Sequence, residues 1–242
     1  MHLILTGATG LVGSAVLQNM LTMESVTKIS ILSRRPVPMI AGHEDKAKVI
    51  IHKDFESYPP ELLDQLKDAH GCVWAQGISA MKVSKPEYIK ITIDYPLAAA
   101  TAFSTLHPTT PFTFVYVSGE GATTAPGMLT SFFGKIKGQA ETTLLALNAS
   151  NPNFRPYSVR PGGVDPRAHT EILEFAAPYA AWQKPVWTGI KALYPSLHAP
   201  SRELGRVLTE LAASKGEALG GKGVEGEGRI VNNVGWRRMA GL

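Results

Sequence analysis

"MHLILTGATGLVGSAVLQNML", residues 1–21, decides how the rest of the chain is read. Leu3, Ile4 and Leu5 form an apolar run typical of a strand, and the run stops at Thr6. Gly7, Gly10 and Gly13 follow at steps of three, and an apolar pattern of helical period begins at once over 11–22. A strand that turns on glycines into a helix makes an anion seat. Gly7 permits the tight turn, Gly10 lets the backbone approach a phosphate with no Cβ between, and Gly13 lets the helix lie close on the sheet. The helix start adds free N–H groups and the positive end of its dipole. Thr9, Leu11 and Val12 share this turn, so Gly7, Thr9, Gly10, Leu11, Val12 and Gly13 are candidates for holding the pyrophosphate of a dinucleotide.

The same alternation continues along the chain. Further strands are predicted at 28–33, 47–52, 71–76, 112–118 and 156–160, with a weaker one at 228–231. Helices are predicted at 60–67, 86–105, 129–149, 170–180 and 201–214. Apolar strands separated by helices require crossover connections, which gives an α/β fold with a doubly wound parallel sheet and helices on both faces. Residues 1–242 read as one domain. Within it, 165–200 is rich in prolines and aromatics (Tyr179, Trp182, Trp187, Tyr194) and is a candidate substrate cap. The glycine-rich stretch 216–228, "GEALGGKGVEGEG", reads as a flexible surface loop.

Composition narrows the functional classes. Hydrophobic residues are 44% and charged residues 18%, as in a globular protein. No apolar run reaches the roughly 18 residues of a membrane span, and the start lacks a secretory signal pattern. The single cysteine, Cys72, sits in the apolar "GCVWAQG" and reads as an inert buried thiol of a reducing, cytoplasmic compartment. The net charge is +4 and the basic residues are spread out, which disfavours a nucleic-acid partner. The basic tail "GWRRM", 235–239, leaves open a peripheral contact with a partner or an organelle membrane. The seven histidines are scattered, so no metal site is expected.

The second strand ends "ILSRRP". About twenty residues past the glycines, an acid would accept the ribose 2′-hydroxyl of NAD. Ser33, Arg34 and Arg35 stand there instead. Guanidinium groups suit a 2′-phosphate, so the expected cofactor is NADP(H). The fourth strand ends "WAQGIS", which puts Gln76, Gly77 and Ile78 at a strand carboxyl end, where ligands of such sheets lie.

The spacing in "TGATGLVG" resembles the fingerprint of extended and atypical short-chain dehydrogenase/reductases, and the likeness spans about residues 1–165. Within that superfamily the chain is most similar to atypical members related to the human Tat-interacting protein and to similar fungal proteins. The resemblance implies a Rossmann NAD(P)-binding fold with a small C-terminal cap region. It implies that Asp54 and Phe55 flank the adenine and that Ser118, in "VYVSG", hydrogen-bonds a substrate carbonyl. It implies that Lys137, in "KGQAE", holds the nicotinamide ribose, and that Pro161, Gly162, Gly163 and Val164 pass the nicotinamide end. The family's tyrosine, four residues before that lysine, would relay the proton. Phe133 stands there, and taking Lys135 as the lysine would put Ser131 there.

The expected function is therefore an NADP-dependent oxidoreductase on a small apolar carbonyl or alcohol, with Ser118 and Lys137 as catalytic residues. Tyr116 reads as strand-bound, so the proton would come from Glu120, a water, Tyr179 or Tyr194. The missing phenol keeps two alternatives open: a non-redox isomerase, dehydratase or cyclase on the same scaffold, and an NADPH-sensing binding protein. A monomer or homodimer is expected.

Overall fold

Eight strands build the central sheet, in the spatial order 47–51, 28–33, 2–6, 69–74, 112–117, 154–159, 230–231 and 224–225. The computed structural model describes residues 1–107, 109–175 and 197–242. In chain order the strands are β1 (His2–Thr6), β2 (Lys28–Ser33), β3 (Ala47–Ile51), β4 (Ala69–Trp74), β5 (Phe112–Val117) and β6 (Phe154–Val159). A separate two-stranded parallel sheet joins β7 (Gly163–Asp165) to β8 (His198–Pro200). The main sheet closes with β9 (Val224–Glu225) and β10 (Ile230–Val231). All its pairings are parallel except β9 with β10.

The helices are α1 (Leu11–Thr22), α2 (Pro60–Leu66), α3 (Lys85–Ile89), α4 (Tyr95–Phe103), α5 (Phe132–Ser150), α6 (Ser201–Ala213) and α7 (Asn233–Met239). Strand side chains alternate between two buried clusters. Leu3, Leu5, Val73 and Val115 face α1 and α6, where Val16, Leu17, Leu204 and Leu208 are buried. Ile4, Cys72, Trp74, Phe114 and Tyr116 face the opposite layer, with Leu62, Ala99, Phe103, Ala140 and Leu144. The expected helices on both faces are therefore present, and Cys72 is fully buried.

The helix predicted over 86–105 is interrupted by a π-helical turn at Lys90–Asp94. Pro96 has no N–H to donate to Thr92 O, so a regular ladder cannot run through this point. Tyr116 Oη donates to Thr92 O instead, at 3.1 Å. The helix predicted from 129 starts later because Ser131 caps it, its Oγ accepting from Gly134 N at 3.1 Å. Of the helix predicted over 170–180, Thr170–Ile172 form a 3-10 turn and residues from 176 lie outside the described residues. Most of the candidate cap, including Tyr179, Trp182, Trp187 and Tyr194, also lies outside them.

One expectation is corrected. The stretch 216–228 is tied into the sheet: it contributes β9, and Arg155 Nη1 donates to Lys215 O at 2.8 Å and Glu217 Oε1 at 2.6 Å. Its glycines serve successive tight turns, so their number does not signal looseness. The basic tail is folded into α7 and leaves Arg238 exposed. Trp236 is fully buried in α7, Arg237 donates to His198 O at 2.5 Å, and Arg238 donates to Gly220 O at 2.6 Å. Among the described residues, no helix is long and apolar enough to cross a membrane, and no cluster of histidine, cysteine and carboxylate side chains could hold a metal ion.

Candidate active site

The strand order reverses between β1 and β4, and a cleft of 540 Å³ opens there beyond the strand carboxyl ends. Gly7, Thr9 and Gly10 line it from the first turn, Ser33, Arg34 and Arg35 from the end of β2, and Phe55, Gln76 and Gly77 from the loops after β3 and β4. Leu32 and Ala75 complete the wall; neither stood out in the sequence, because backbone neighbours of a motif carry no mark of their own.

The three glycines differ in what requires them. Gly7 has φ +72°, and a Cβ there would lie 2.4 Å from Ala75 O. A Cβ on Gly13 would lie 2.0 Å from Gly7 O. Both positions are closed to any larger residue by the protein's own backbone. Gly10 is different: a Cβ would meet only Gly7 O, at 3.3 Å. No close packing demands a glycine there, yet Gly10 lines the cleft and caps α1 with no side chain over the helix start. That is the cradle a pyrophosphate needs.

Ser33 shapes the arginine turn, its Oγ donating to Arg35 O at 2.7 Å and accepting from Arg35 N at 3.3 Å. Arg34 and Arg35 are exposed, and among the described residues neither joins an ion pair. Asp54 is exposed and outside the lining; its Oδ1 accepts from Glu56 N at 3.1 Å and closes a local turn. Phe55 is buried at the cleft wall. Ile78 is exposed and outside the lining, and Leu11 is half-buried against the core.

A second cavity of 510 Å³ is lined by Val12, from the first turn of α1. Ser118, Gly119 and Glu120 line it from the end of β5, Phe133 from α5, and Pro161, Gly162, Gly163 and Val164 from the chain after β6. The Phe133 ring lies against Gly119, its Cζ 2.8 Å from where a Cβ would stand. Beneath Ser118 runs a buried polar chain. Ser118 Oγ donates to Glu141 Oε1 at 2.6 Å, and Arg160 donates to both oxygens of Glu141, at 2.9 and 2.5 Å. The other arm of Arg160 reaches Glu225 Oε2 at 3.1 Å. The Arg160–Glu141 pair had no sequence signal, because its members belong to different elements and no local spacing links them.

Lys137 is buried, and Lys135 is exposed. Since Ser131 is the cap of α5, the register with Phe133 and Lys137 is the one that faces β5. Lys137 Nζ donates to Val117 O at 3.0 Å and lies 4.7 Å over the Tyr116 ring. Burial pushes its pKa down to about 8, opposed by the charge of Glu141. Tyr116 is strand-bound as expected, and burial drives its phenol well above its ordinary range.

A doubly wound parallel sheet with this crossover pattern is the short-chain dehydrogenase/reductase fold. A short-chain dehydrogenase/reductase from Saccharomyces cerevisiae superposes with a TM-score of 0.67 at 16% identity, over 96% of this chain and 95% of that one. No family model matches the sequence. The chain is 36% identical over 262 aligned positions to leucinostatins biosynthesis cluster protein T of Purpureocillium lilacinum, covering 98% of this chain and 94% of that protein. It belongs to the family of that protein. Botcinic acid biosynthesis cluster B protein 16 of Botryotinia fuckeliana is 40% identical over 142 residues, which span 54% of this chain and 87% of that protein.

Proposed function

We propose that this protein is an NADP(H)-dependent oxidoreductase that moves hydride to or from a small, largely apolar substrate, in a pathway of fungal secondary metabolism. The observation that carries the reading is the two exposed guanidinium groups of Arg34 and Arg35, without an ion-pair partner among the described residues, on the rim of a cleft floored by an uncapped helix start. Gly10 and the start of α1 would hold the pyrophosphate, and Arg34 and Arg35 the 2′-phosphate, with Phe55, Gln76 and Gly77 at the adenosine end. Pro161–Val164 would border the nicotinamide end; Lys137, held by Val117 O, lines neither cavity. The bound nicotinamide supplies or receives the hydride. The metabolic setting rests on the two biosynthesis-cluster relatives.

Ser118 takes a role opposite to the one expected from the resemblance. Glu141 is held by two charge-assisted bonds from Arg160, so it is ionised and can only accept. The single Ser118 proton is therefore engaged, and Ser118 offers a substrate lone pairs only. Phe133 has no proton to give. The serine positions substrate rather than polarising a carbonyl.

Calorimetric titration with NADPH and NADH tests the cofactor assignment. Two charge-assisted contacts of about 1.5 kcal/mol or more each make NADPH at least ~100-fold the tighter ligand. The Arg34→Ala/Arg35→Ala double variant should bind both alike. An unchanged preference in that variant, or no binding of NADPH by the wild type, would overturn the reading.

A further inference from the structure

We infer that the cavity at Ser118 takes a cationic C=N substrate, an iminium ion, in place of a ketone or aldehyde. The inference rests on the NADP(H) reading above and names the functional group that reading leaves open. Every polar side chain lining this cavity among the described residues is an acceptor. Ser118 has its proton engaged by Glu141 at 2.6 Å. Glu120 is an exposed carboxylate; its Oε2 accepts from Asn233 N at 3.1 Å, and among the described residues no cation pairs with it. Phe133 adds an aromatic ring, whose face attracts positive charge. The other lining side chains, among them Val12, Val117, Val164 and Leu197, are apolar.

Among the described residues, no lysine, arginine or histidine lines this cavity. Two buried cations of the neighbouring elements are engaged elsewhere: Lys137 with Val117 O and the Tyr116 ring, Arg160 with Glu141 and Glu225. A wall of acceptors, a carboxylate and an aromatic ring fits a cation with an apolar body. It is a poor host for a carbonyl, which needs a donor.

The chemistry points the same way. Hydride addition to a ketone leaves an alkoxide, which must gain a proton, and no described side chain of the cavity is an acid able to give one. Hydride addition to an iminium carbon forms one C–H bond and moves the C=N π pair onto nitrogen as a lone pair. The product is a neutral amine. The reduced nicotinamide dinucleotide loses two electrons and one proton as hydride, the iminium carbon is reduced, and no further proton is required. The phenylalanine in place of the relay tyrosine then removes nothing the reaction uses.

The test uses the full-length protein and matched bicyclic probes. N-methyl dihydroisoquinolinium carries a permanent cationic C=N, and tetralone and tetralol are its neutral ketone and alcohol counterparts. NADPH binding is measured first, by calorimetry. If NADPH does not bind, the dinucleotide reading and this inference fall together. If it binds, NADPH consumption with the iminium should exceed that with tetralone by ~100-fold or more in kcat/KM. An independent binding readout is the affinity of N-methyl tetrahydroisoquinoline, protonated at neutral pH, for the NADP⁺-loaded protein. Glu120→Gln should weaken it about threefold to fivefold, the size of one exposed charge pair, and leave tetralol binding unmoved. NADPH binding combined with tetralone turnover equal to or above that of the iminium overturns this inference alone. So does ammonium binding that Glu120→Gln leaves unchanged. Loss of ketone turnover in Tyr179→Phe or Tyr194→Phe would also overturn it, because a proton donor would then have been found.

Discussion

Removing the guanidinium of Arg160 tests the buried chain under Ser118. Glu141 is fully buried and Arg160 nearly so, and they meet through two bonds at 2.9 and 2.5 Å. Arg160→Met leaves Glu141 charged, buried and held only by Ser118. Stranding one member of such a pair costs about 3–5 kcal/mol. Lys137, close enough for its charge to be felt by Glu141, softens the loss toward the lower figure. At about 2–4 °C per kcal/mol for a chain of this size, Tm should fall by roughly 6–20 °C. The Glu141→Leu/Arg160→Met double variant should recover most of that loss, since two apolar groups replace a desolvated pair. Glu225 is half exposed, so Glu225→Gln should cost no more than about 1 kcal/mol. Urea titration at pH 7, followed by the fluorescence of buried Trp74 and Trp236, reads all four proteins. A loss below about 1 kcal/mol in Arg160→Met, or a double variant that recovers none of that loss, would refute the claim that an ionised pair holds Ser118.

Other outcomes follow from the same geometry. Gly13→Ala should lose about 1–3 kcal/mol or more in urea titration, because its Cβ would meet Gly7 O at 2.0 Å. Gly10→Ala should unfold within about 1 kcal/mol of the wild type, yet bind NADPH at least tenfold more weakly by calorimetry. Lys137 has a folded-state pKa near 8 against an ordinary 10.5, so between those values the unfolded chain binds more protons. The wild type should therefore gain stability relative to Lys137→Met as pH rises from 8 to about 10.5, and the difference should be flat below pH 8; a flat difference throughout would place the amine in water.

Local patterns carried most of the fold. The apolar runs gave β1 through β6, and the weak 228–231 pattern was real because Ile230 and Val231 extend the sheet beside Ser158 and Val159. The strand predicted at 71–76 was set two residues late, since Gly71 opened the apolar run while Ala69 already pairs with His2 and His70 is passed over at an irregularity in the register. The cleft was legible because glycine turns and strand ends are contiguous in sequence. The π turn was not, because it arises from a missing proline N–H meeting a tyrosine hydroxyl from another element. The buried Ser118–Glu141–Arg160 chain was hidden for a similar reason. Residue types showed a serine, a glutamate and an arginine, but which of them donates depends on who is buried with whom. That direction is the basis of the acceptor role proposed for Ser118.

The most direct measurement is a crystal structure of the protein grown with NADP⁺. Expected is a dinucleotide lying across the end of β1, its pyrophosphate over Gly10 and the start of α1, and its 2′-phosphate in contact with Arg34 or Arg35. A dinucleotide bound elsewhere, or one whose 2′-phosphate faces solvent away from both arginines, would contradict the assignment.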